Sequence, residues 1–342
     1  MKTAIADVEK LEDLLSEPSE GVIATCGKLT GDVVVLGIGG KMGPTLARML
    51  VRGSQAAGVK RRVIGVSRFG GGDLRQRLES WGIETIAADL LNPEQLQKLP
   101  DAPNVVYMAG LKFGSTGQEG LTWAMNTFLP GMVAQKYRRS KIVAFSTGCV
   151  YGYAPVTLGG SLETDPVNPF GDYAISCLGR ERIFVHFSRT LNIPTALIRL
   201  NYSTEMRYGV LVDIARQVAN GEAIDLAVGH FNCIWQNDAN AMTIRAFEHV
   251  STPPFVLNVT GPETCSVRQV ATQFGKLLGR EPRFSGAEGA QSYVANGSLG
   301  HKLFGYPRVS LQQAMLWTAD WVRRGGENIN KPTHFATTDG KY

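Results

Sequence analysis

Cysteine is scarce in this 342-residue sequence, and no two cysteines form a closely spaced pair. Neither a CxxC motif nor a regular interval joins the five, which are Cys26, Cys149, Cys177, Cys233 and Cys265. Zinc sites and disulfide frameworks require such spacing, so we expect neither a metal nor a disulfide. Free thiols are typical of reducing compartments, and a cytoplasmic location is therefore expected.

Long apolar runs and clusters of like charge are also missing. No apolar run approaches the roughly 18 residues needed to cross a bilayer, and the acidic N-terminus, MKTAIADVEKLEDLLSEPSEG, lacks the basic-then-apolar order of a signal peptide. The 35 Lys and Arg residues exceed the 30 Asp and Glu residues only slightly, and they are scattered. A nucleic-acid surface needs a clustered basic stripe. We therefore expect no membrane and no nucleic acid as partner.

Short apolar runs alternate with amphipathic segments from residue 32 to residue 200. The first run, DVVVLG (32–37), is continuously apolar, as is typical of a strand buried on both faces. The other runs of this kind are RRVIGVS (61–67), ETIAAD (84–89), NVVYMAG (104–110), KIVAFS (141–146) and TALIRL (195–200). The alternation predicts an α/β protein with a doubly wound parallel sheet covered by helices on both faces.

A glycine-rich turn, GIGGKMG (37–43), connects the first predicted strand to the first predicted helix. Gly37 permits a tight turn, Gly40 lets backbone approach a pyrophosphate, and Gly43 lets the helix and sheet pack closely. Free N–H groups at the helix N-terminus would bind the phosphates. An ordinary tight connection is the alternative, but the flanking strands and helix favour a dinucleotide site. Its predicted residues are Gly37, Gly39, Gly40, Lys41, Met42 and Gly43.

The end of the second predicted strand, VIGVSRFGG, indicates which dinucleotide is bound. Ser67 and Arg68 stand where NAD-binding proteins usually place an acid for the ribose 2′-hydroxyl. A hydroxyl and a guanidinium suit a 2′-phosphate, so we predict NADP in preference to NAD. In the alternative, Arg68 is a solvated loop residue. Asp89, followed by Leu90, is the candidate to contact the adenine.

The alternation of strands and helices becomes irregular after residue 200. Together with the segments at the two ends of the sequence, this change predicts four parts of the chain. We expect an N-terminal extension over 1–30 and a dinucleotide-binding Rossmann domain over 31–200. A smaller mixed C-terminal substrate lobe follows over 201–325, with some segments returning to the sheet. The polar tail over 326–342 is expected to be poorly ordered.

Together these motifs resemble the extended short-chain dehydrogenase/reductase family, the NAD(P)-dependent epimerases and dehydratases. The resemblance runs from about residue 31 to residue 325. It is carried by GIGGKMG, AADLL (87–91), MAGLKFG (108–114), Asn126, FSTGCVYG (145–152), and Tyr173 with Glu181 behind it. MAGLKFG is similar to the matching stretch of UDP-glucose 4-epimerases. The resemblance implies a Rossmann fold and places Ala109, Gly110, Lys112 and Asn126 near the cofactor.

The same resemblance implies two catalytic residues. Thr147, four residues before the YG tyrosine, would bind the reacting hydroxyl, and Tyr173 would exchange its proton while hydride moves to or from nicotinamide. Alternatively, Tyr173 is a packed helix residue and Thr147 a strand-end cap. Their joint placement favours chemistry at a secondary hydroxyl.

Cys177 stands where the family has a lysine that holds the nicotinamide ribose and lowers the pKa of the tyrosine. A thiol does neither, so the family's mechanism does not carry over to this position. Arg180, on nearly the same helix face as Tyr173, could compensate, or it is a solvated surface charge. Lys112 is the second candidate. We expect a modified, working site.

The substrate lobe lacks the arginine that grips the diphosphate in nucleotide-sugar members. Counting back seven residues from the helix-starting Asp238 lands on Phe231, followed by Asn232. Arg199 and Asn201, in IRLNYSTEM, fit the family's next strand end only loosely, without the usual YGP.

We therefore predict a small polyhydroxy substrate, such as a sugar, sugar acid or hydroxy acid, contacted by Asn201 and Tyr202. Two alternatives stay open, which are a nucleotide-sugar epimerase or dehydratase and a non-catalytic dinucleotide sensor. A homodimer is expected.

Overall fold

A computed structural model describes residues 4–112, 116–331 and 333–340, so the last two residues of the MAGLKFG motif lie outside the described part. Seven strands form one sheet: β1 (Val33–Leu36), β2 (Val63–Ser67), β3 (Glu84–Ala87), β4 (Asn104–Tyr107), β5 (Lys141–Thr147), β6 (Thr195–Leu200) and β7 (Phe255–Val259). They are parallel, in the order β3-β2-β1-β4-β5-β6-β7. The predicted doubly wound fold is confirmed. Because the order reverses between β1 and β4, a crevice opens at their carboxyl ends.

Thirteen α-helices are found in the described part of the chain. They are α1 (Val8–Leu15), α2 (Glu20–Lys28), α3 (Gly43–Ala56), α4 (Leu74–Ser80), α5 (Pro93–Lys98), α6 (Glu119–Trp123), α7 (Leu129–Lys136), α8 (Gly171–Leu191), α9 (Val210–Asn220), α10 (Gln236–Arg245), α11 (Val267–Leu278), α12 (Ser298–Phe304) and α13 (Leu311–Arg323). A π-helical turn, Ala124–Phe128, joins α6 to α7, and 3-10 turns cover Gly148–Tyr151, Val156–Leu158 and Ala246–Glu248. No described helix is long and apolar enough to cross a bilayer.

Helices cover both faces of the sheet, which explains why its central strands, such as β1 and β4, are buried along their whole length. In β1, Val33 and Val35 pack into the core under α2, α3 and α10. Val34 and Leu36 point the other way, into the core beneath α7 and α8. All four side chains are fully buried. The sheet is therefore a rigid floor for residues at its carboxyl edge.

The second lobe has its own apolar core, formed by α9, α11 and α13 with residues such as Leu211, Phe274 and Trp317. Four short strand pairs surround it: Ala223–Asp225 with Arg283–Ser285, His230–Phe231 with Cys265–Ser266, Ser203–Thr204 with Ile234–Trp235, and Ala154–Pro155 with Gln291–Ser292. Between these segments the chain returns to the central sheet as β7. The lobe thus stands over the carboxyl edge of the sheet.

The polar segment after residue 325 is held against the second lobe, contrary to the expectation of a poorly ordered tail. We call its described residues, 326–331 and 333–340, the C-terminal segment. Phe335 is buried in the core of the lobe, 6.4 Å from Phe231 between ring centroids. Thr333 donates to the Asp213 carboxylate at 2.6 Å, and Tyr153 donates to the Thr337 carbonyl at 2.6 Å. One buried ring and several hydrogen bonds fix a stretch whose composition is that of a loop.

Candidate active site

A cavity of about 450 Å³ opens at the carboxyl ends of β1, β4, β5 and β6, between the sheet and the second lobe. Twelve of the residues predicted from the sequence line it: Gly37, Gly39, Gly40, Lys41, Met42, Gly110, Lys112, Thr147, Tyr173, Arg180, Asn201 and Tyr202. Sequence positions that are far apart thus meet in one cleft, which is the candidate active site.

The glycine turn has the geometry that a pyrophosphate requires. Gly37 has φ +88°, and a Cβ there would lie 2.6 Å from the backbone nitrogen of Ala109. A Cβ at Gly43 would lie 2.2 Å from the Ile38 carbonyl oxygen, whereas one at Gly40 would meet nothing nearer than 3.6 Å. Gly40 therefore leaves its backbone open to a ligand. No side chain caps the N-terminus of α3, so its first N–H groups are available to a ligand at the turn.

The residues predicted to select the cofactor lie along the edge beside this turn, outside the cavity lining. Ser67 ends β2, and a Cβ at Gly39 would lie 2.6 Å from its hydroxyl oxygen. Arg68 follows it and is exposed. Asp89 is exposed after β3, where its carboxylate accepts from the Leu91 backbone N–H at 3.0 Å. Leu90 is buried. The turn and these strand ends form one continuous edge of the sheet.

Asn126 ties the loop after β4 to helix α8. It lies in the π-helical turn and is fully buried. Its amide exchanges two hydrogen bonds with the backbone of Leu111, both 2.9 Å, and donates to the Ser176 hydroxyl at 3.0 Å. The predicted cofactor residue therefore positions the Gly110–Lys112 loop instead of lining the cavity. π-helical turns of this kind are frequent at functional sites.

Arg180 is buried, so the interpretation of it as a solvated surface charge is wrong. Its guanidinium donates to the Asn126 side-chain oxygen at 2.6 Å and to the Phe145 carbonyl at 2.9 Å. The absence of a side chain at Gly110 makes room for it, because a Cβ there would lie 2.4 Å from Arg180 Nη2. Arg180 lies on α8, the helix that also carries Tyr173, and it lines the same cleft.

Tyr173 and Thr147 are joined by a side-chain hydrogen bond at the bottom of the cleft. The Thr147 hydroxyl oxygen already accepts from the Cys149 backbone N–H at 3.2 Å, which leaves its proton free to be donated to the Tyr173 oxygen. Burial raises the pKa of the Tyr173 phenol well above its usual range, and the Cys177 and Cys149 thiols raise it further. The Arg180 guanidinium and the Thr147 hydrogen bond act in the opposite direction.

Cys177 is fully buried among Val150, Tyr151 and Ala295, and its thiol is hydrogen-bonded to Tyr173. Burial raises the pKa of this thiol to about 11, although Arg180 pulls it down. At neutral pH the group is therefore a thiol and carries no charge. It fills space beside the tyrosine without acting as a cation or as an anion.

Lysine side chains supply the remaining positive charge of the cleft. Lys112 Nζ lies 5.6 Å from the centre of the Tyr173 ring and 6.0 Å from that of Tyr202. Burial lowers the pKa of Lys112. Lys41 Nζ lies 3.2 Å from the centre of the Tyr208 ring, across the cleft on the second lobe. Lys112 therefore lies beside Tyr173, whereas Lys41 lies against the ring of Tyr208.

The second lobe presents no arginine at the position expected for a diphosphate clamp. Phe231 is fully buried, and the Asn232 side chain is bonded to Asn201 and to the Ala295 carbonyl. Arg199 already has buried partners for both of its terminal guanidinium nitrogens. Nη2 donates to the Glu181 carboxylate at 2.7 Å, and Nη1 donates to the Tyr151 hydroxyl at 2.8 Å.

Several lining residues were not identified from the sequence: Ser146, Cys149, Ser203, Tyr208, Gln236 and Lys331. Cys149 is part of the quoted FSTGCVYG motif, and its position between Thr147 and Tyr151 was a usable signal. Tyr208 lies two residues before α9 and carries no motif. Lys331 comes from the C-terminal segment, which no pattern in the sequence links to the cleft. Long-range packing alone brings it there.

The profile of the NAD dependent epimerase/dehydratase family matches residues 33–249, more than half of the chain. No curated protein matches the chain in sequence. The matched region contains the glycine turn, Thr147, Tyr173 and the first part of the second lobe. It ends before α11, so the C-terminal segment lies outside it.

Solved structures with the same fold include epimerases and a dehydratase. UDP-glucose 4-epimerase from Thermotoga maritima, solved with UDP-glucose, has a TM-score of 0.72 at 17% identity, over 86% of this chain and 99% of its own. UDP-glucuronic acid 4-epimerase from Bacillus cereus, in complex with NAD, has a TM-score of 0.70 at 18% identity, over 86% of this chain and 96% of its own. dTDP-glucose 4,6-dehydratase from Bacillus anthracis, also in complex with NAD, has a TM-score of 0.70 at 17% identity, over 86% of this chain and 97% of its own. At such identities the likeness supports the fold alone.

Proposed function

The chain belongs to the NAD dependent epimerase/dehydratase family, and on that premise we propose that it oxidises, reduces or epimerises a secondary hydroxyl carbon of a small polyhydroxy substrate. The family consists of enzymes of the extended short-chain dehydrogenase type. The observation that carries the proposal is the hydrogen-bonded pair of Thr147 and Tyr173, which lines the same cleft as the glycine turn. A non-catalytic dinucleotide sensor would need neither side chain.

The chain's own residues can hold a dinucleotide and manage one proton. Open backbone at Gly40 and the uncapped start of α3 would hold the pyrophosphate. When bound, the nicotinamide supplies the hydride acceptor or donor. Thr147 orients the substrate hydroxyl, and Tyr173 accepts its proton during oxidation or returns it during reduction. Tyr202 and Asn201 form the wall of the second lobe that faces this pair.

We assign to Arg180 the electrostatic role that the missing lysine has in the family. Its guanidinium is buried beneath Tyr173, is held by Asn126 and Phe145, and lowers the pKa of the phenol. Because a guanidinium stays charged at all relevant pH values, it favours the phenolate permanently. Lys112 is the weaker candidate, because burial lowers the pKa of its own ammonium group.

We predict that NADPH binds about tenfold or more tightly than NADH. The exposed Arg68 at the end of β2 would pair with the 2′-phosphate, and a hydrogen bond to a charged group contributes about 1.5–3 kcal/mol. Fluorescence titration of both reduced cofactors measures the ratio. Arg68→Ala should weaken NADPH selectively, whereas Arg283→Ala, at an exposed arginine of the second lobe, should change neither affinity. Equal or tighter NADH binding by the unmodified protein would refute the assignment.

We predict that the substrate carries no nucleotide, so UDP and GDP should bind negligibly to the cofactor-saturated protein. At the position expected for the clamp a diphosphate would find no cationic partner, and burying it there without one costs several kcal/mol. Phe231 offers no donor, the Asn232 amide is already bonded, and Arg199 is neutralised by Glu181. Calorimetry makes the measurement. Micromolar binding of either nucleotide would restore the nucleotide-sugar alternative.

We also propose a homodimer, joined through the neighbouring helices α6 to α8. Phe128 (63% exposed), Leu121 (42%) and Ile175 (40%) are large apolar side chains on these helices and the turn between them that a monomer would leave in water. Sedimentation should give the dimer mass for the unmodified protein and a larger monomer fraction for Phe128→Glu. Leu316→Glu, at an exposed leucine of α13, is the matched control. A monomer at all concentrations would reject the proposal.

Turnover tests the proposed function as a whole. The purified protein is mixed with NADP and a panel of sugars, polyols, sugar acids and hydroxy acids, and nicotinamide absorbance is followed. Isomer formation is measured in parallel, since an epimerase returns the hydride. Cofactor binding without turnover of any panel member would favour the sensor. None of the five cysteines, all of which lie in the described part of the chain, forms a disulfide, and all are buried. This supports the further proposal of a reducing, cytoplasmic location.

A further inference from the structure

The C-terminal segment is fixed to the second lobe by a ring and by hydrogen bonds. Ile329 donates its backbone N–H to the Arg207 carbonyl at 3.1 Å. Thr333 gives the Asp213 carboxylate two hydrogen bonds, at 2.8 Å from the backbone N–H and at 2.6 Å from the hydroxyl. The ring of Phe335 is buried in the core of the lobe. This end of the segment is therefore firmly attached beside α9.

Further along the chain the same segment contacts the start of α8 and the loop before it. The Tyr153 hydroxyl donates to the Thr337 carbonyl at 2.6 Å. A Cβ at Gly171, the first residue of α8, would lie 2.6 Å from the Gly340 carbonyl oxygen, so the two backbones are closely packed. Gly171 stands two residues before Tyr173. The segment thus extends from α9 to the beginning of the helix that carries the predicted catalytic tyrosine.

Between these two attachments the segment lies next to residues that surround Tyr173. Lys331 belongs to the lining of the cavity. Lys112 Nζ, 5.6 Å from the centre of the Tyr173 ring, donates to the Thr333 carbonyl at 3.4 Å. Tyr153, which holds the far end of the segment, packs in one apolar cluster with Tyr173. The segment therefore crosses the side of the cleft where the reacting hydroxyl would be held.

The competing explanation is that the segment only completes the core of the second lobe. Phe335 alone serves that purpose. The contacts of Thr337 and Gly340 add nothing to this core, because their partners Tyr153 and Gly171 lie outside it. A segment attached on both sides of an opening closes that opening. A buried ring is a stronger attachment than one hydrogen bond, so the end at α8 is the one that releases first.

We propose that the C-terminal segment is a cover over the substrate side of the cleft, which opens by releasing the start of α8. The inference rests on the proposed function and deepens it, because a closed cover sets an upper limit on substrate size. A single sugar unit fits beneath it, and a longer compound does not. The closed cover also keeps water away from the reacting carbon during hydride transfer. The segment lies outside the residues that the family profile matches, so this chain's own contacts carry the inference.

Chemical labelling of Cys149 tests the cover without requiring turnover. Cys149 lines the cavity and is only 5% exposed, so a thiol reagent reaches it when the cleft opens. The protein is saturated with oxidised cofactor, which occupies the cofactor side and leaves the substrate side as the entrance. Labelling rates are measured with iodoacetamide and with a bulky maleimide, and tandem mass spectrometry locates the label. We expect slow labelling of the unmodified protein, because the rate follows the population of the open form.

Two variants weaken the two attachments separately. Phe335→Ala should accelerate labelling by the maleimide about tenfold or more, and Tyr153→Phe should accelerate it about 3–10-fold. Phe274→Ala is the control for stability, since it removes a ring from the same core through α11 and not through the segment. Thr338→Ala, at an exposed site of the segment, should change nothing.

The outcomes separate the cover from the proposed function. Rapid labelling of the unmodified protein by both reagents rejects the cover, as does the absence of acceleration in both segment variants. Equal acceleration in Phe335→Ala and Phe274→Ala assigns the effect to the stability of the lobe and also rejects it. Labelling that follows the two segment variants, with no turnover of any panel compound, supports the cover and rejects the proposed catalytic function.

The size limit is tested with any panel sugar that is turned over. The ratio of kcat/KM between this sugar and a disaccharide that contains it should be about tenfold smaller in Phe335→Ala than in the unmodified protein. A ratio that stays unchanged, in a variant whose Cys149 is labelled faster, rejects the limit on substrate size.

Discussion

Replacement of Tyr173 by phenylalanine is expected to lower kcat by about 10²–10⁴-fold, the range typical of a lost general acid or base. The substitution removes one oxygen atom and keeps the ring. The ring thus keeps its packing against Cys149, Val150 and Ala174. Cofactor affinity should therefore stay within a few-fold of the unmodified value. The loss should appear in kcat and not in KM alone, because the proton moves only during the chemical step.

Tyr306→Phe is the matched control for this experiment. Tyr306 is 73% exposed and stacks on His301, away from the cleft, so its hydroxyl takes no part in the chemistry. Both variants are compared under single-turnover conditions, with the absorbance of nicotinamide as the signal. Full activity of Tyr173→Phe would show that another group transfers the proton. The proposed role of the Thr147–Tyr173 pair in proton transfer would then be rejected.

Much of the central fold could be predicted because its sequence signals are local. Most strands of the sheet are apolar runs, the partly exposed edge strand β3 being the exception, and the glycine turn marks the first strand–helix connection. Helices α2 and α12 were not predicted. Gly21 and Gly27 interrupt the helical pattern of α2, and α12 begins directly after Gly297. Tertiary packing compensates: in α3, a Cβ at Gly53 would lie only 3.0 Å from Cys26 Sγ of α2.

Only those site residues that belong to a recognisable sequence motif could be predicted. Thr147 and Tyr173 were identified through a resemblance, and they do share the cleft. Whether Arg180 lies in the interior could not be decided, since a helical arginine at that spacing is equally compatible with solvent. Its burial depends on the missing side chain at Gly110, far away in sequence. Lys331 depends in the same way on the anchoring of Phe335 in a core assembled from other segments.

Neutralising Arg180 is expected to change the pH dependence of the reaction. The guanidinium lowers the pKa of Tyr173, so Arg180→Gln should raise that pKa and make the reactive phenolate scarcer at neutral pH. A phenol whose pKa is higher by about one has roughly tenfold less phenolate at a given pH. In the oxidation direction we expect kcat/KM at pH 7 to fall by about 10–100-fold. Part of this loss should be recovered as the pH rises, because the phenolate then forms without the cation.

A merely structural role for Arg180 predicts a different result. Removal of the guanidinium also takes hydrogen bonds from Asn126 and the Phe145 carbonyl, which lowers stability and could reduce activity equally at every pH. Arg180→Lys keeps the positive charge and should therefore keep the dependence of kcat/KM on pH, even if the stability of the protein falls. Cys177→Ala should not displace the profile to higher pH, because Cys177 raises the pKa of Tyr173 and so is not a group that favours the phenolate. A uniform loss in Arg180→Gln, with no displacement of the profile along the pH axis, would refute the electrostatic role and leave Tyr173 to work without a compensating cation.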